Sequence, residues 1–278
     1  IENMKSKSTE TSYAVGGGAL VAVDVATGQP LAIANYPTFD LQTLFQSQES
    51  YDAVKDAENE PLFNRALLGQ YSPGSTFKPC TAIAGLTEGV ITTGTRIQCT
   101  GTFRKYEDTG YAPKCWIVSS GATHGNDNVT EAIRDSCNIF FYTVGDSLPI
   151  DTLARYAAAF GLGEHTGIEL PESTGQMATE AVKKKVENTN WYVGDSLQAA
   201  IGQSYSLFTP LQLAEYCATI ANGGTRHSAS ILKSVRSYDG SELIYENEAE
   251  VLSTVETGDY NWAAVQKGMY LVANDRAG

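Results

Sequence analysis

The run Tyr71-Ser72-Pro73-Gly74-Ser75-Thr76-Phe77-Lys78-Pro79 sets a hydroxyl and an amine three residues apart. On a helix, positions i and i+3 share a face, so Lys78 can stand beside Ser75. A serine hydroxyl becomes a useful nucleophile only when a neighbouring base takes its proton. A lysine can be that base when it is desolvated and close to the positive end of a helix, because both disfavour its charged form. The pair therefore describes a serine activated for covalent acyl transfer. Ser-x-x-Lys also arises by chance, as a capping serine followed by a surface lysine, and the setting decides between the two readings.

The flanking residues predict the helix that the pair needs. Pro73-Gly74 breaks the preceding segment and permits close backbone approach. Pro79 would disrupt a helix interior but is tolerated in a first turn, where an amide has no intrahelical acceptor. The spacing predicts a helix starting near Ser75 and running through Leu86. A second constellation, Ser136-Cys137-Asn138, falls between a short helix (Thr130 to Asp135) and a strongly apolar one (Ile139 to Gly145). Residues i and i+2 do not share a helix face, so both polar side chains reach one site only from a turn. There a serine can relay a proton, and an asparagine amide can donate to and accept from a peptide-like substrate. Read alone, Ser-x-Asn is an ordinary polar helix connection.

The other elements follow from pattern. Residues 18–25 and 30–37 read as a β-hairpin about a 26–29 turn. Residues 46–60 read as loop or short helix, and 99–128, rich in Gly, Thr, Tyr and Asp, as extended loops. Helices are expected over 151–160, over 210–221 with Pro210 in the first turn and Asn222-Gly223-Gly224 as stop, and over 262–272. Strands are expected at 231–238 and 242–245. Strands at both ends around a helical middle describe one α/β domain (α+β type), an antiparallel sheet built from distant segments and flanked by helices.

The 278 residues suffice for a sizeable core, and 42% hydrophobic with 18% charged residues describe a folded, water-soluble chain. A net charge of −13 argues against a nucleic-acid partner. Lys183-Lys184-Lys185, the one lysine run, reads as a solvated helix face or loop. No stretch reaches the ~20 apolar residues of a membrane span, and residues 1–10 are a polar lead-in without a signal peptide, as in an excised domain. None of Cys80, Cys99, Cys115, Cys137 and Cys217 forms a Cys-x-x-Cys pair, which speaks against zinc. Cys99 and Cys115 flank a loop and would pair in an oxidising compartment; free thiols fit equally. His124, His165 and His227 are scattered, and nothing marks one of them as a Ser-His-Asp base.

Together, these motifs and their settings resemble the penicillin-binding protein transpeptidases and serine β-lactamases, whose motif set is S-x-x-K, S-x-N and K-T-G. The match is most similar to class B penicillin-binding proteins. Asn64-Arg65-Ala66 with Gly69 to Lys78 looks like that class's nucleophile segment. Thr166 to Glu172, Ala200-Ile201-Gly202-Gln203 with Thr209 to Ala214, and Ala221 to Gly224 resemble further segments. The resemblance covers nearly the whole chain, read as a single transpeptidase domain over 1–278 with a helical subdomain. It implies that Ser75 is acylated by the penultimate D-Ala of a stem peptide and that Lys78 is the base. Ser136 would pass a proton toward the leaving amine, Asn138 would hold the substrate amide, and the Ser75 N–H would be one oxyanion donor. β-Lactams would be trapped at Ser75, and no cofactor or metal is implied. It also implies a bacterial protein on the extracytoplasmic face of the membrane, held by an N-terminal helix outside this chain, with other cell-wall synthesis proteins as partners.

The K-T-G motif is not in the sequence. His165-Thr166-Gly167 offers a cation but sits in a loop signature, and Glu256-Thr257-Gly258 has the wrong charge for a substrate carboxylate. The expectation is that the K-T-G strand belongs to a second segment or to sequence missing after Gly278, leaving the domain C-terminally incomplete. A serine β-lactamase or D,D-carboxypeptidase is the alternative enzyme. A β-lactam sensor or pseudoenzyme scaffold is the non-enzyme alternative.

Overall fold

A computed structural model describes residues 16–275; the polar lead-in at 1–10 and the terminal 276–278 lie outside the described residues. The chain opens with the hairpin β1 (Gly18–Val23) and β2 (Pro30–Tyr36). Asp24 shapes its turn, accepting the Ala26 and Thr27 amides at 3.0 and 2.9 Å. Gly28 closes it at φ +71°, a left-handed conformation that suits glycine. Helices α1 (Leu41–Leu44) and α2 (Gln48–Lys55) follow, then α3 (Lys78–Thr87). β3 (Ile97–Cys99) pairs with β4 (Gly125–Asp127) around a long excursion. Next come α4 (Val129–Arg134), α5 (Asn138–Ser147), α6 (Ile150–Ala159), α7 (Glu180–Glu187), α8 (Val193–Ala200) and α9 (Pro210–Ala221). The last elements are β5 (Thr225–His227), β6 (Ser234–Arg236), β7 (Leu243–Glu246), β8 (Val251–Thr254) and α10 (Asp259–Asn274).

The α3 helix is the axis of the molecule. Every residue from Lys78 to Leu86 is buried, so the helix is apolar all round except where its polar groups find partners. Around it lie Phe140, Phe141, Phe160, Leu197 and Tyr216 in one continuous core. Each large side chain so buried contributes about 1.5–3 kcal/mol. A smaller core of Ala66, Leu67, Ile168, Leu211 and Ala229 takes the inner face of the hairpin, Ala19, Val21 and Val23.

The mixed α/β class with antiparallel pairing is as the sequence predicts, but the strands are distributed differently. Among the described residues they form four two-stranded sheets, β1-β2, β3-β4, β5-β8 and β6-β7, rather than one sheet joining both ends. The 231–238 strand shortens to Ser234–Arg236, where register breaks at Val235/Arg236. The lysine run also departs from expectation. It lies on α7, yet Lys183 is buried and paired with Asp195 at 2.6 Å, its ammonium 4.8 Å from the Tyr192 ring centre. That pair ties α7 to α8.

A carboxyl on α9 is buried with incomplete compensation. Glu215 is buried on α9, and its Oε1 has no hydrogen-bond partner among the described residues. Burial pushes its pKa up to about 8, with Arg226 pulling the other way. The folded state therefore holds a proton that the unfolded chain releases near the ordinary glutamate value. Stability is expected to fall as pH rises between those two values and to level off above about 8. Glu215→Gln is expected to remove most of that slope, by roughly a few kcal/mol at pH 9. Urea midpoints of both proteins at pH 5 and pH 9 check this; equal slopes would contradict it.

Candidate active site

Ser75 sits in a 3-10 turn, Gly74–Phe77, that runs directly into α3. Pro79 occupies the first turn of α3, as predicted. The next amide, Cys80 N–H, donates to the hydroxyl of Tyr216 on α9 at 2.9 Å, so a distant side chain caps the turn that carries the Ser-x-x-Lys pair. Pro73-Gly74 is held from the other side. Gly74 N–H donates to Gly202 O at 2.8 Å, and Ser72 Oγ donates to the same oxygen at 3.0 Å. Gly202 has φ +73°, and a Cβ there would lie 2.1 Å from Gly74 O, so only glycine permits this contact.

The second motif meets the first here. Asn128 and Glu131 form a capping box that starts α4. Ser136 then turns the chain at φ +52°, and Cys137 caps α5, which begins at Asn138. Lys78 Nζ donates to Ser136 O at 2.7 Å, Ser136 Oγ at 2.8 Å and Asn138 Oδ1 at 2.7 Å. Ser136 Oγ in turn donates to Ser75 Oγ at 2.9 Å. Four predicted residues thus form one network, but in a different order from that expected. Lys78 reaches Ser75 through Ser136, and Asn138 accepts from Lys78. Helical spacing brings Lys78 to the correct face, while the left-handed turn at Ser136 inserts a hydroxyl between the two groups.

Lys78 is almost fully buried, with its ammonium 5.6 Å from the Phe141 ring centre. Burial pushes its pKa down to about 8, with the neighbouring Cys115 and Cys137 sulfurs pulling the other way. A lysine so placed is partly neutral near pH 7. The three donated bonds belong to the ammonium form; in the neutral form the directions reverse, and Lys78 can accept a proton from Ser136 while Ser136 accepts one from Ser75. A cavity of about 300 Å³ is lined by Ser75, Lys78 and Ser136 together with Cys217, Met269 and Val272. A larger cavity of about 760 Å³, lined by Tyr111, Tyr192 and Tyr205, does not include the network.

Neither candidate for a third motif lies on a strand. Thr166 is tied back by its own loop, its N–H and Oγ1 donating to Glu172 at 3.0 and 2.7 Å. Thr257 and Gly258 precede α10. Sequence reasoning missed the roles of Tyr216 and Gly202 and one whole cluster. Cys99, Cys115, His124 and Cys137 converge, with ligand atoms all within 4.8 Å of one another. The three cysteines are free, so Cys99 and Cys115 are not paired. The spacing rule that spoke against zinc tests only neighbouring cysteines, whereas these donors come from four separate segments.

The sequence matches the profile of the penicillin binding protein transpeptidase domain over residues 18–278. The chain belongs to that family. It is 34% identical over 275 residues to the peptidoglycan D,D-transpeptidase MrdA of Escherichia coli K12, covering 95% of this chain and 41% of the relative. The chain thus spans less than half the length of this curated relative. The crystal structure of Pseudomonas aeruginosa PBP2 in complex with WCK 5153 superposes with a TM-score of 0.83 at 31% identity, covering 94% of this chain and 58% of that one. The imipenem acyl-enzyme complex of penicillin-binding protein A from Mycobacterium tuberculosis superposes with a TM-score of 0.79 at 26% identity, covering 92% and 57%.

Proposed function

We propose that this chain is the catalytic domain of a peptidoglycan D,D-transpeptidase that acts through an acyl-enzyme on Ser75. The observation that carries the reading is the hydrogen-bonded series Ser75–Ser136–Lys78 with a buried, low-pKa lysine at its end. As the D-Ala-D-Ala carbonyl is attacked, the Ser75 proton moves to Ser136 and the Ser136 proton to Lys78. The same relay, reversed, delivers a proton to the departing D-Ala amine. Asn138 fixes the lysine and faces the substrate amide. The Ser75 N–H, at the start of a 3-10 turn where amides lack intrahelical acceptors, is one oxyanion donor. An amine from a neighbouring stem peptide then attacks the ester and restores Ser75.

β-Lactams enter this scheme as mimics of the D-Ala-D-Ala end, and they stay bound because the leaving group remains tethered. Other cell-wall synthesis proteins are the partners this role calls for, at the outer face of the bacterial membrane. No helix among the described residues is long and apolar enough to cross a membrane.

Exposure to a fluorescent penicillin, followed by intact-mass measurement and peptide mapping, tests the reading. One equivalent of long-lived adduct on the peptide containing Ser75 is expected. A folded protein that takes up no adduct would favour a scaffold role. Adduct that forms on Ser75 and hydrolyses within seconds would favour a β-lactamase or carboxypeptidase.

A further inference from the structure

We propose that the cavity of about 760 Å³ walled by Tyr111, Tyr192 and Tyr205 is a subsite for the glycan strand of the substrate, seating the amino sugar whose stem peptide acylates Ser75. The glycan assignment rests on the peptidoglycan reading given above.

The three rings come from three separate segments. Tyr111 belongs to the excursion between β3 and β4, Tyr192 is the cap of α8, and Tyr205 lies on the loop after α8. Each is fixed where it stands. The Tyr111 hydroxyl donates to Gly194 O at 3.4 Å and accepts from Gln198 Nε2 at 3.2 Å. Its ring lies so close to Gly194 that a Cβ there would be 3.0 Å from it. Tyr192 has the Lys183 ammonium 4.8 Å from its ring centre, yet the residue is 61% exposed. Tyr205 O accepts from Gln176 Nε2 at 3.0 Å, and its hydroxyl interacts with the Glu187 carboxylate. Tyrosines that serve only as filling bury their rings, as Tyr216 does, whereas none of these three is buried. The loop that carries Tyr205 is also strained. Ser204 holds φ +65°, in the left-handed region that serine avoids, and such residues collect at binding and catalytic sites.

The chemistry of the wall selects a neutral, amphipathic ligand. Lys183 lines the cavity but is already paired with Asp195 at 2.6 Å. The carboxylate end of a stem peptide calls for a free cation, and among the described residues lining this cavity none is left over. A pyranose ring has no charge, a C–H face and a rim of hydroxyls. Aromatic faces suit the first surface. Gln198, Ser204 and Thr109 can donate to and accept from the hydroxyl and acetamido groups of the rim.

Its place in the molecule fits that occupant. The Tyr142 hydroxyl interacts with the side chains of both Gln198 and Asn138. A polar series Lys78–Asn138–Tyr142–Gln198–Tyr111 therefore runs from the relay into the cavity. On the other side, Gly202, whose carbonyl holds the Gly74 amide beside Ser75, opens the loop that leads to Ser204 and Tyr205. The cavity thus begins just beyond Asn138, the residue that faces the substrate amide. Three or four extended residues span at most roughly 10–14 Å, the reach a stem peptide needs to run from Ser75 past Asn138 and set its sugar here.

A peptide-free oligomer of N-acetylglucosamine bearing a photoreactive group is the probe. It should bind the wild type and crosslink to peptides containing Tyr111 or residues 187–205. Tyr192→Ala and Tyr205→Ala should each weaken its binding about five- to tenfold, whereas Tyr192→Phe, which keeps the ring, should bind like the wild type. Both alanine variants should raise KM for a sugar-linked stem peptide by a similar factor, leave kcat unchanged, and leave KM for the free stem peptide as it was. Penicillin carries no sugar and should acylate both at the wild-type rate, which also shows that they fold. No crosslink at the cavity of the wild type would overturn the subsite, whatever the variants do. KM raised equally for free and sugar-linked peptide would overturn the glycan assignment in favour of a peptide site. A chain that takes the oligomer here and is never acylated would count against the Ser75 reading alone, with the crosslinks still supporting a sugar site.

Discussion

Ser75→Ala protein is expected to take up no covalent penicillin, while Cys217→Ser protein is labelled at the wild-type rate. The comparison matters because two nucleophiles line the same cavity of about 300 Å³. Cys217 is exposed, and a thiol is intrinsically the stronger nucleophile of the two. What Cys217 lacks is a base: among the described residues no hydrogen bond involves its sulfur, whereas Ser75 Oγ is linked at 2.9 Å to a hydroxyl that is itself 2.8 Å from a buried amine. Position in a proton relay, not intrinsic reactivity, selects the serine. Label retained in Ser75→Ala and lost in Cys217→Ser would reverse the assignment.

Replacing Lys78 by methionine is expected to slow acylation by roughly 10²–10⁴-fold, the usual contribution of a positioned base. Methionine keeps the length of the side chain and its packing on Phe141, and it removes a buried charge, so folding should survive. The pH profile gives a second reading of the same group. Only the neutral amine can accept a proton, and burial sets its pKa at about 8. The acylation rate of the wild type should therefore rise with pH up to about 8 and then flatten. The rising limb should vanish in Lys78→Met. A methionine variant that acylates within threefold of wild type, with the limb intact, would remove Lys78 from the relay.

How much of this was legible in the sequence follows from how local each feature is. The Ser75-to-Lys78 spacing and the Pro79 first turn depend on four or five consecutive residues, and helical geometry carries them into the structure unchanged. The separation of Ser136 and Asn138 rules out a common helix face and points to a turn, which holds for Ser136, whereas Asn138 already opens α5. The order of the relay was not legible, because it depends on Ser136 adopting a left-handed backbone that an ordinary serine avoids. The burial of Lys183 was not legible because its partner, Asp195, lies 12 positions on and on a different helix. The cysteine–histidine cluster lay furthest out of reach: its four donors come from a strand end, a 3-10 start, a loop and a helix cap, and no local rule joins them.

The hydroxyl of Tyr216 that receives the Cys80 amide has a consequence for the order of assembly. The two residues lie 136 positions apart, and Ser72 and Gly202 lie 130 apart. Contacts of such separation form late, because a long loop must close before they offset its entropy. During synthesis, the nucleophile segment must wait until the α9 sequence has emerged and docked before its turn is fixed. Reactivity at Ser75 should then appear abruptly, as a property of the finished domain, and nascent chains released before Tyr216 should be blind to penicillin. The antibiotic would in this way act as a stopwatch for folding, marking the moment when the two halves of the chain first meet.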